Sequence, residues 1–358
     1  MSTDTKLPTI RIWQPPPADI AAADSVDPGE LGPHLTLTRF YESWVLPRFR
    51  NLRGCSQETI EQDRDSLRLW AQYTGDPTLA EIGEATCELF VESLTLRCRP
   101  GTTQPISPNT IRKHCTHLQL MLDLAGPKTR RHRKTARLLA DPPYLERPAA
   151  RSKSPRDAFT FEEICTWLAG CELATDCRNT GTIPAAAWHR ALILFCYNTG
   201  IRLGAALQAT WSMLDRNHQG WISLPAEICK GGKQPQDVYV NRAAREALQS
   251  IRLPGQELLL PWVGYPESNS WLHRSRRLIQ EAAGLPEHRR FGWHGLRKAL
   301  GTWLAPRNWM LASIVLGHRG GNITRDHYVC PDTVGPLLEE LPQPVATTPK
   351  RRASDRAG

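Results

Sequence analysis

The sequence holds no apolar run long enough to cross a membrane: its richest stretch, residues 191–197, is seven residues long, against the roughly 18 a span needs. Its N-terminus has no basic-then-apolar secretory pattern. Glycine and proline, 25 and 29 of 358 residues, fall well below the level of a disordered or collagen-like chain. There is no heptad pattern and no repeat at solenoid periods. None of the ten cysteines forms a C-x2-C pair. Their scatter reads as reduced thiols of an intracellular protein. The even five-residue gaps of Cys165, Cys171 and Cys177 do not match zinc spacing. Membrane, secreted, coiled-coil and metal-scaffold classes are thereby set aside.

What is present is ordinary globular composition, 40% apolar and 23% charged, at a length that suggests two or three domains. The net charge is +9, and it is concentrated. Segment 126–158 carries ten Lys/Arg (among them Lys128, Arg130, Arg131, Arg133 and Lys134) against three acids. The tail 349–358 carries a further +3. A basic stretch rich in Pro and Ala reads as a linker able to lie along a polyanion, DNA or RNA. The plainer alternative is a linker kept in solution by its charge.

Residues 1–33, with Pro15-Pro16-Pro17, read as an unstructured arm. Four helical patterns follow between 34 and 126. The first carries Leu37, Phe40, Tyr41, Trp44 and Val45 on one face, until Pro47 ends or bends it. Ser56 caps the second, which Gly75-Asp76-Pro77 closes. The third spans about 84–97, with Leu89, Phe90 and Leu94 inward. The fourth starts at the Ser107-Pro108 cap and stops at Gly126. Its opposite face offers Arg112, Lys113 and His117, for phosphate or for solvent. These four make a small helical bundle.

Residues 127–157 read as the basic linker, 158–341 as a second domain and 342–358 as a basic tail. Thr160-x-x-Glu163 is a capping box. A helix over about 184–197 ends at Asn198-Thr199-Gly200. Two short strands, 221–224 and 238–240, join through Lys230-Gly231-Gly232-Lys233. Further helices are expected near 242–251, 270–283, 294–304, 308–316 and, beyond Pro331, 333–340. The fold class is thus mainly α with one small β-sheet.

Five patterns in this second domain carry chemistry. Arg202 stands directly after a glycine helix stop, in Thr199-Gly200-Ile201-Arg202. Lys230 sits at a glycine-rich strand turn, with Lys233 three residues on. His294 and Arg297 form H-x-x-R, a spacing that shares one helix face. His318 lies in Leu316-Gly317-His318, and Tyr328 follows ten residues later. Taken singly, each has an ordinary structural reading: a salt bridge, a solvated turn, a polar face, a capping histidine, a core tyrosine.

Their order resembles the tyrosine recombinase family, the phage-type integrases, whose signature is T-G-x-R, a β-turn lysine, H-x-x-R, L-G-H and a tyrosine. The four-helix region is similar to that family's core DNA-binding domain, so the resemblance spans about residues 35–340. It implies a site-specific recombinase or integrase whose two domains clamp double-stranded DNA. The enzyme would be monomeric when free, tetrameric on paired sites, and cytoplasmic with the nucleoid. The chemistry implied is a covalent 3′-phosphotyrosyl intermediate, with no cofactor, metal or ATP. Arg202 and Arg297 would clamp the phosphate. Tyr328 would be the nucleophile, His294 the proton acceptor, Lys230 the general acid and His318 a phosphate hydrogen-bond donor. Lys233 stays open as an alternative acid. The same resemblance implies that residues 333–341 dock through Leu337, Leu338 and Leu341 on a neighbouring subunit; self-packing is the alternative. A type IB topoisomerase-like enzyme, a catalytically silent DNA-binding protein and a basic RNA-binding protein are the competing functions.

Overall fold

The computed structural model describes residues 31–149, 158–173, 178–216, 219–229, 234–317 and 331–346. The chain divides into two compact units, Met1–Ser152 and Lys153–Gly358, each treated by itself below.

The first unit is helical. Thr36 caps α1 (Leu37–Phe40), which continues as a π-helical run, Tyr41–Asn51, with Pro47 inside it. Pro47 therefore neither ends the helix nor stands at its edge. Proline removes one backbone donor, and the wider π register carries the chain past it. Ser56 accepts from the Thr59 amide and opens α2 (Gln57–Thr74). Gly75, with φ of 77°, closes it. In α3 (Glu84–Leu96) the inward residues are Cys87, Phe90 and Leu94. Leu89, expected inward, is 49% exposed, because the 87/90/94 spacing defines the buried stripe and position 89 falls off it. Ser107 caps α4 (Pro108–Ala125) through the Thr110 amide.

Gly126 does stop α4, with extended backbone rather than a left-handed cap. A Cβ there would collide with the Pro142 ring. That approach shows where the next segment goes. The amides of Ala136 and Leu138 donate to the carbonyls of Leu124 and Ala125. The Leu145 amide donates to Gln119 Oε1 at 2.7 Å, and Leu145 is fully buried. Much of the stretch expected as linker, 127–149, is thus packed on the first unit.

The second unit is mainly α-helical with a small two-stranded sheet. Thr160 and Glu163 form the capping box of α5 (Phe161–Gly170). The central helix α6 (Ala185–Thr199) is apolar nearly all round, with Trp188, Leu192, Phe195 and Cys196 in the core. Such a helix must be covered on every side. It is capped by Gly200 in the left-handed conformation, φ 63°. The short α7 (Leu203–Ala206) follows. Strand β1 (Trp221–Leu224) pairs antiparallel with β2 (Gln236–Tyr239), Leu224 opposite Gln236 and Trp221 opposite Tyr239. β2 begins two residues earlier than its apolar residues suggest. Helices α8 (Arg242–Gln249), α9 (Asn269–Ala282), α10 (His294–Leu304), α11 (Trp309–Val315) and α12 (Pro331–Glu339) follow among the described residues.

The apolar face of α12 is occupied within its own chain, contrary to the expectation of docking on a neighbour. Val334, Leu338 and Leu341 are at most 3% exposed, and Leu337 packs on the same core. The helix is also held at its end. Glu339 accepts from the Tyr239 hydroxyl and the Arg242 amide, and Asn241 donates to the Leu338 carbonyl. Burial of three aliphatic side chains, about 1.5–3 kcal/mol each, favours the self-packed arrangement.

Candidate active site

Three of the six expected catalytic residues lie among the described residues. Arg202 is the residue preceding α7, with extended backbone, and its side chain is half-buried. It stands at the corner that the left-handed Gly200 creates. A Cβ on Gly200 would meet Leu300 and Leu316 at 2.9 and 3.0 Å. The corner of α6 is therefore pressed against α10 and the end of α11, and only glycine fits there.

Arg297, one turn into α10, is 2% exposed. Its Nη1 donates to the Gly200 carbonyl and its Nη2 to the Leu316 carbonyl. One side chain thus ties the Arg202 corner to the Leu316-Gly317 corner. His294, the first residue of α10, is exposed. The H-x-x-R spacing puts both residues on one helix, but they differ in burial, since the second turn passes beneath the Gly200 corner and the first stands at the helix end.

The electrostatics are those of two cations without a paired carboxylate among the described residues. Burial, and then the nearby charge of Arg202, push the Arg297 pKa down to about 10. The Arg202 charge thus adds to the cost of the buried Arg297 charge. A bound anion would offset that cost. Among the described residues no three His, Cys, Asp or Glu side chains converge as a metal site.

Lys230, Lys233, His318 and Tyr328 lie outside the described residues. Their flanks do approach one another. Gly317 has φ of 55°, and a Cβ there would meet the Gln236 side-chain amide at 2.9 Å. Leu316-Gly317 is thus set beside Gln236, the first residue of β2, three residues after Lys233 in the sequence. Sequence reading missed Gln236; no local pattern marks it.

In the first unit, Lys113, Lys128, Arg130, Arg131, Arg133 and Lys134 are exposed. Arg112 is half-buried and donates to the Pro148 carbonyl at 2.7 Å, so it braces the chain as well as adding charge. His132 is 6% exposed, near the ring of Phe49, and its amide donates to the Thr129 hydroxyl at 2.9 Å. It anchors the turn that displays the five cations around it. His117, expected on a basic outer face, instead contacts Asp63. Asp63 is fully buried and also accepts from Arg50 and the Tyr41 hydroxyl.

The fold is the one that solved phage-type integrases share. Residues 172–333 match the phage integrase family, and this part of the chain is a phage integrase family domain. Three solved structures share the fold. One is a lambda integrase (75-356) dimer bound to a COC′ core site, 17% identical with a TM-score of 0.56, over 80% of this chain and 96% of that one. Another is a lambda integrase tetramer bound to a Holliday junction, 16% identical with a TM-score of 0.55, over 81% and 79%. The third is the Tn1549 transposon integrase (aa 82-397) with circular intermediate DNA, 14% identical with a TM-score of 0.53, over 83% and 96%. At these identities the likeness is one of fold. A curated relative, trans-aconitate 2-methyltransferase of Methylobacterium nodulans, is 30% identical over 88 residues, 25% of this chain. The chain spans about a third (33%) of that protein's length.

Proposed function

We propose that this protein is a site-specific DNA recombinase that breaks and rejoins DNA strands through a tyrosine–phosphate linkage. The observation that carries the reading is that Arg297 is hydrogen-bonded to the Gly200 carbonyl, two residues before Arg202, with no carboxylate paired to either arginine among the described residues. A pentacoordinate phosphate has two non-bridging oxygens in need of such donors. The family domain over 172–333 supports the same chemistry.

In this mechanism the Tyr328 oxygen attacks phosphorus, and the bond from phosphorus to the 5′ oxygen breaks. The phenolic proton passes to His294, and the leaving 5′ oxygen takes a proton from Lys230, or from Lys233 in its place. His318 donates to a non-bridging oxygen. The ester energy is kept in the phosphotyrosine, so a 5′-hydroxyl of a second strand reverses the steps and reseals the DNA. No cofactor enters these steps. Lys113, Lys128, Arg130, Arg131, Arg133 and Lys134 contact phosphates, and Arg112 adds charge beside them. The assembly that exchanges strands is a homotetramer on two sites, as the lambda integrase tetramer on a Holliday junction suggests by its fold.

The test is capture of detergent-resistant protein–DNA adducts on sheared genomic DNA in EDTA, wild type beside Tyr328→Phe. Adducts from the wild type alone support the reading, and sequencing them gives the site. No adducts despite measurable DNA binding would overturn it, leaving a DNA-binding protein on a recombinase fold.

A further inference from the structure

An arginine is rarely buried without an acid to pair with. Arg276, in the middle of α9, is 7% exposed, and among the described residues its partners are all neutral. Its Nη1 donates to Gln280 Oε1 at 2.8 Å, to the Arg290 carbonyl at 3.4 Å and to the Phe291 carbonyl. Gln280, fully buried, donates to the same Phe291 carbonyl at 3.1 Å. The Nε of Arg276 has no partner. Desolvation, then the charge of Arg277, lowers its pKa. As a stabilising device this is poor, since an apolar side chain of similar volume would avoid the cost of burying the charge.

The arrangement makes sense by what it holds. The Phe291 carbonyl lies three residues before His294. The turn that carries it is braced by rings: Phe291 against Phe159 at 5.3 Å, and Trp293 against Trp167 at 5.1 Å, with His189 nearly parallel to Trp293 at 6.4 Å. Gly295 is pressed on the Phe159 ring, where a Cβ would come to 2.7 Å. Rings fix such a turn laterally, but they slide. Arg276 Nη1 and the Gln280 amide fix it along the chain, by hydrogen bonds to one carbonyl.

We propose that Arg276 is a positioning residue, which sets His294 and the start of α10 in place through the Phe291 carbonyl. This rests on the function proposed above, since the role of His294 belongs to it. Arg276 touches neither DNA nor the reacting atoms. Its loss acts on the rate of the chemical step and leaves DNA affinity alone.

The experiment uses the full chain on a duplex containing a captured site. Wild type, Arg276→Met, Arg276→Lys and Gln280→Met are compared for DNA affinity by anisotropy and for adduct rate at saturating DNA. The expected result for Arg276→Met is unchanged affinity with an adduct rate lower by about 10- to 100-fold, the scale of a small misplacement of a reacting group. Arg276→Lys, whose ammonium can still reach the carbonyl, recovers most of that loss. Gln280→Met loses less than Arg276→Met. A wild-type rate for Arg276→Met at saturation would overturn the proposal. So would a loss shared equally by affinity and rate, or a lysine variant no better than the methionine one. If Arg276→Met does not fold, a wild-type rate for Gln280→Met overturns it as well. A wild type that forms no adducts on any duplex is a different failure, that of the recombinase reading itself.

Discussion

Arg297 donates to the carbonyl of Gly200, a residue 97 positions earlier in the chain. The second guanidinium of the site therefore also holds the corner on which the first is mounted. Removing it takes away a charge and loosens the seat of Arg202 together. Arg297→Lys, with a point charge in place of the planar fork, is expected to slow adduct formation by about 10²- to 10³-fold and to leave duplex affinity nearly unchanged. Single-turnover adduct rates and anisotropy titrations on the same preparation check this.

Gly200 combines a left-handed backbone with close approach to two leucines. Gly200→Ala is expected to destabilise the second unit by about 1–3 kcal/mol. Urea unfolding followed by tryptophan fluorescence measures it. An unchanged midpoint would mean that α10 and α11 can move away from the corner.

Asp63 is buried against Arg50, Tyr41 and His117. Burial, then the Asp63 carboxylate, pushes the Tyr41 pKa well above its ordinary value, so the phenol stays a donor. Asp63→Asn leaves the Arg50 charge buried without its partner. A loss of about 3–5 kcal/mol is expected in the first unit. Unfolding of the full chain, with the second unit followed separately by adduct formation, locates the loss.

Two buried histidines make stability depend on pH. Burial pushes the pKa of His114, beside the Ser66 hydroxyl, and of His189, beside the Ser275 hydroxyl, down to about 4. In the unfolded chain each takes a proton near pH 6.5. Their contribution is therefore complete above about pH 6.5 and is lost as pH falls toward 4. The expected loss is about 3 kcal/mol at most for each. Denaturant midpoints at pH 7.5 and 4.5 should differ, and His189→Gln should flatten the dependence.

The five exposed cations around His132 should act through phosphates. Replacing Lys128, Arg130, Arg131, Arg133 and Lys134 by glutamine is expected to weaken binding to any duplex. The log–log salt dependence should become shallower by up to about 4.5, near 0.9 for each phosphate no longer neutralised. An unchanged slope would remove the segment from the interface.

The sequence made local features plain. Ser56, Ser107 and Thr160 cap helices because a hydroxyl three residues before an amide needs no tertiary context. Gly200 stops α6 for a similarly local reason. The residues Arg202, His294 and Arg297 were legible by their spacing and order. Other features depend on distant partners. Asp63 gathers Arg50, Tyr41 and His117 from 13, 22 and 54 positions away, so His117 read as a surface cation. Nothing in the sequence singles out Arg276, because two of its three partners are backbone carbonyls that no residue type announces. The destination of the leucines on α12 was open for the same reason. An amphipathic pattern says that a face will be covered, not by which chain.

The Arg289 guanidinium binds both Glu163 carboxylate oxygens and the Ala158 carbonyl, while at the other end the Tyr197 hydroxyl donates to the Pro342 carbonyl and Gln343 donates to Asn198. These hydrogen bonds mark the borders of an autonomous piece. A fragment begun at Thr160 would lack the ring under Gly295 and the carbonyl that Arg289 grips. One ended at Leu341 would leave the hydroxyl of a core tyrosine without its acceptor. A fragment that keeps these hydrogen bonds therefore runs from 158 to 343, and cutting inside either border removes partners of buried groups as well as surface residues.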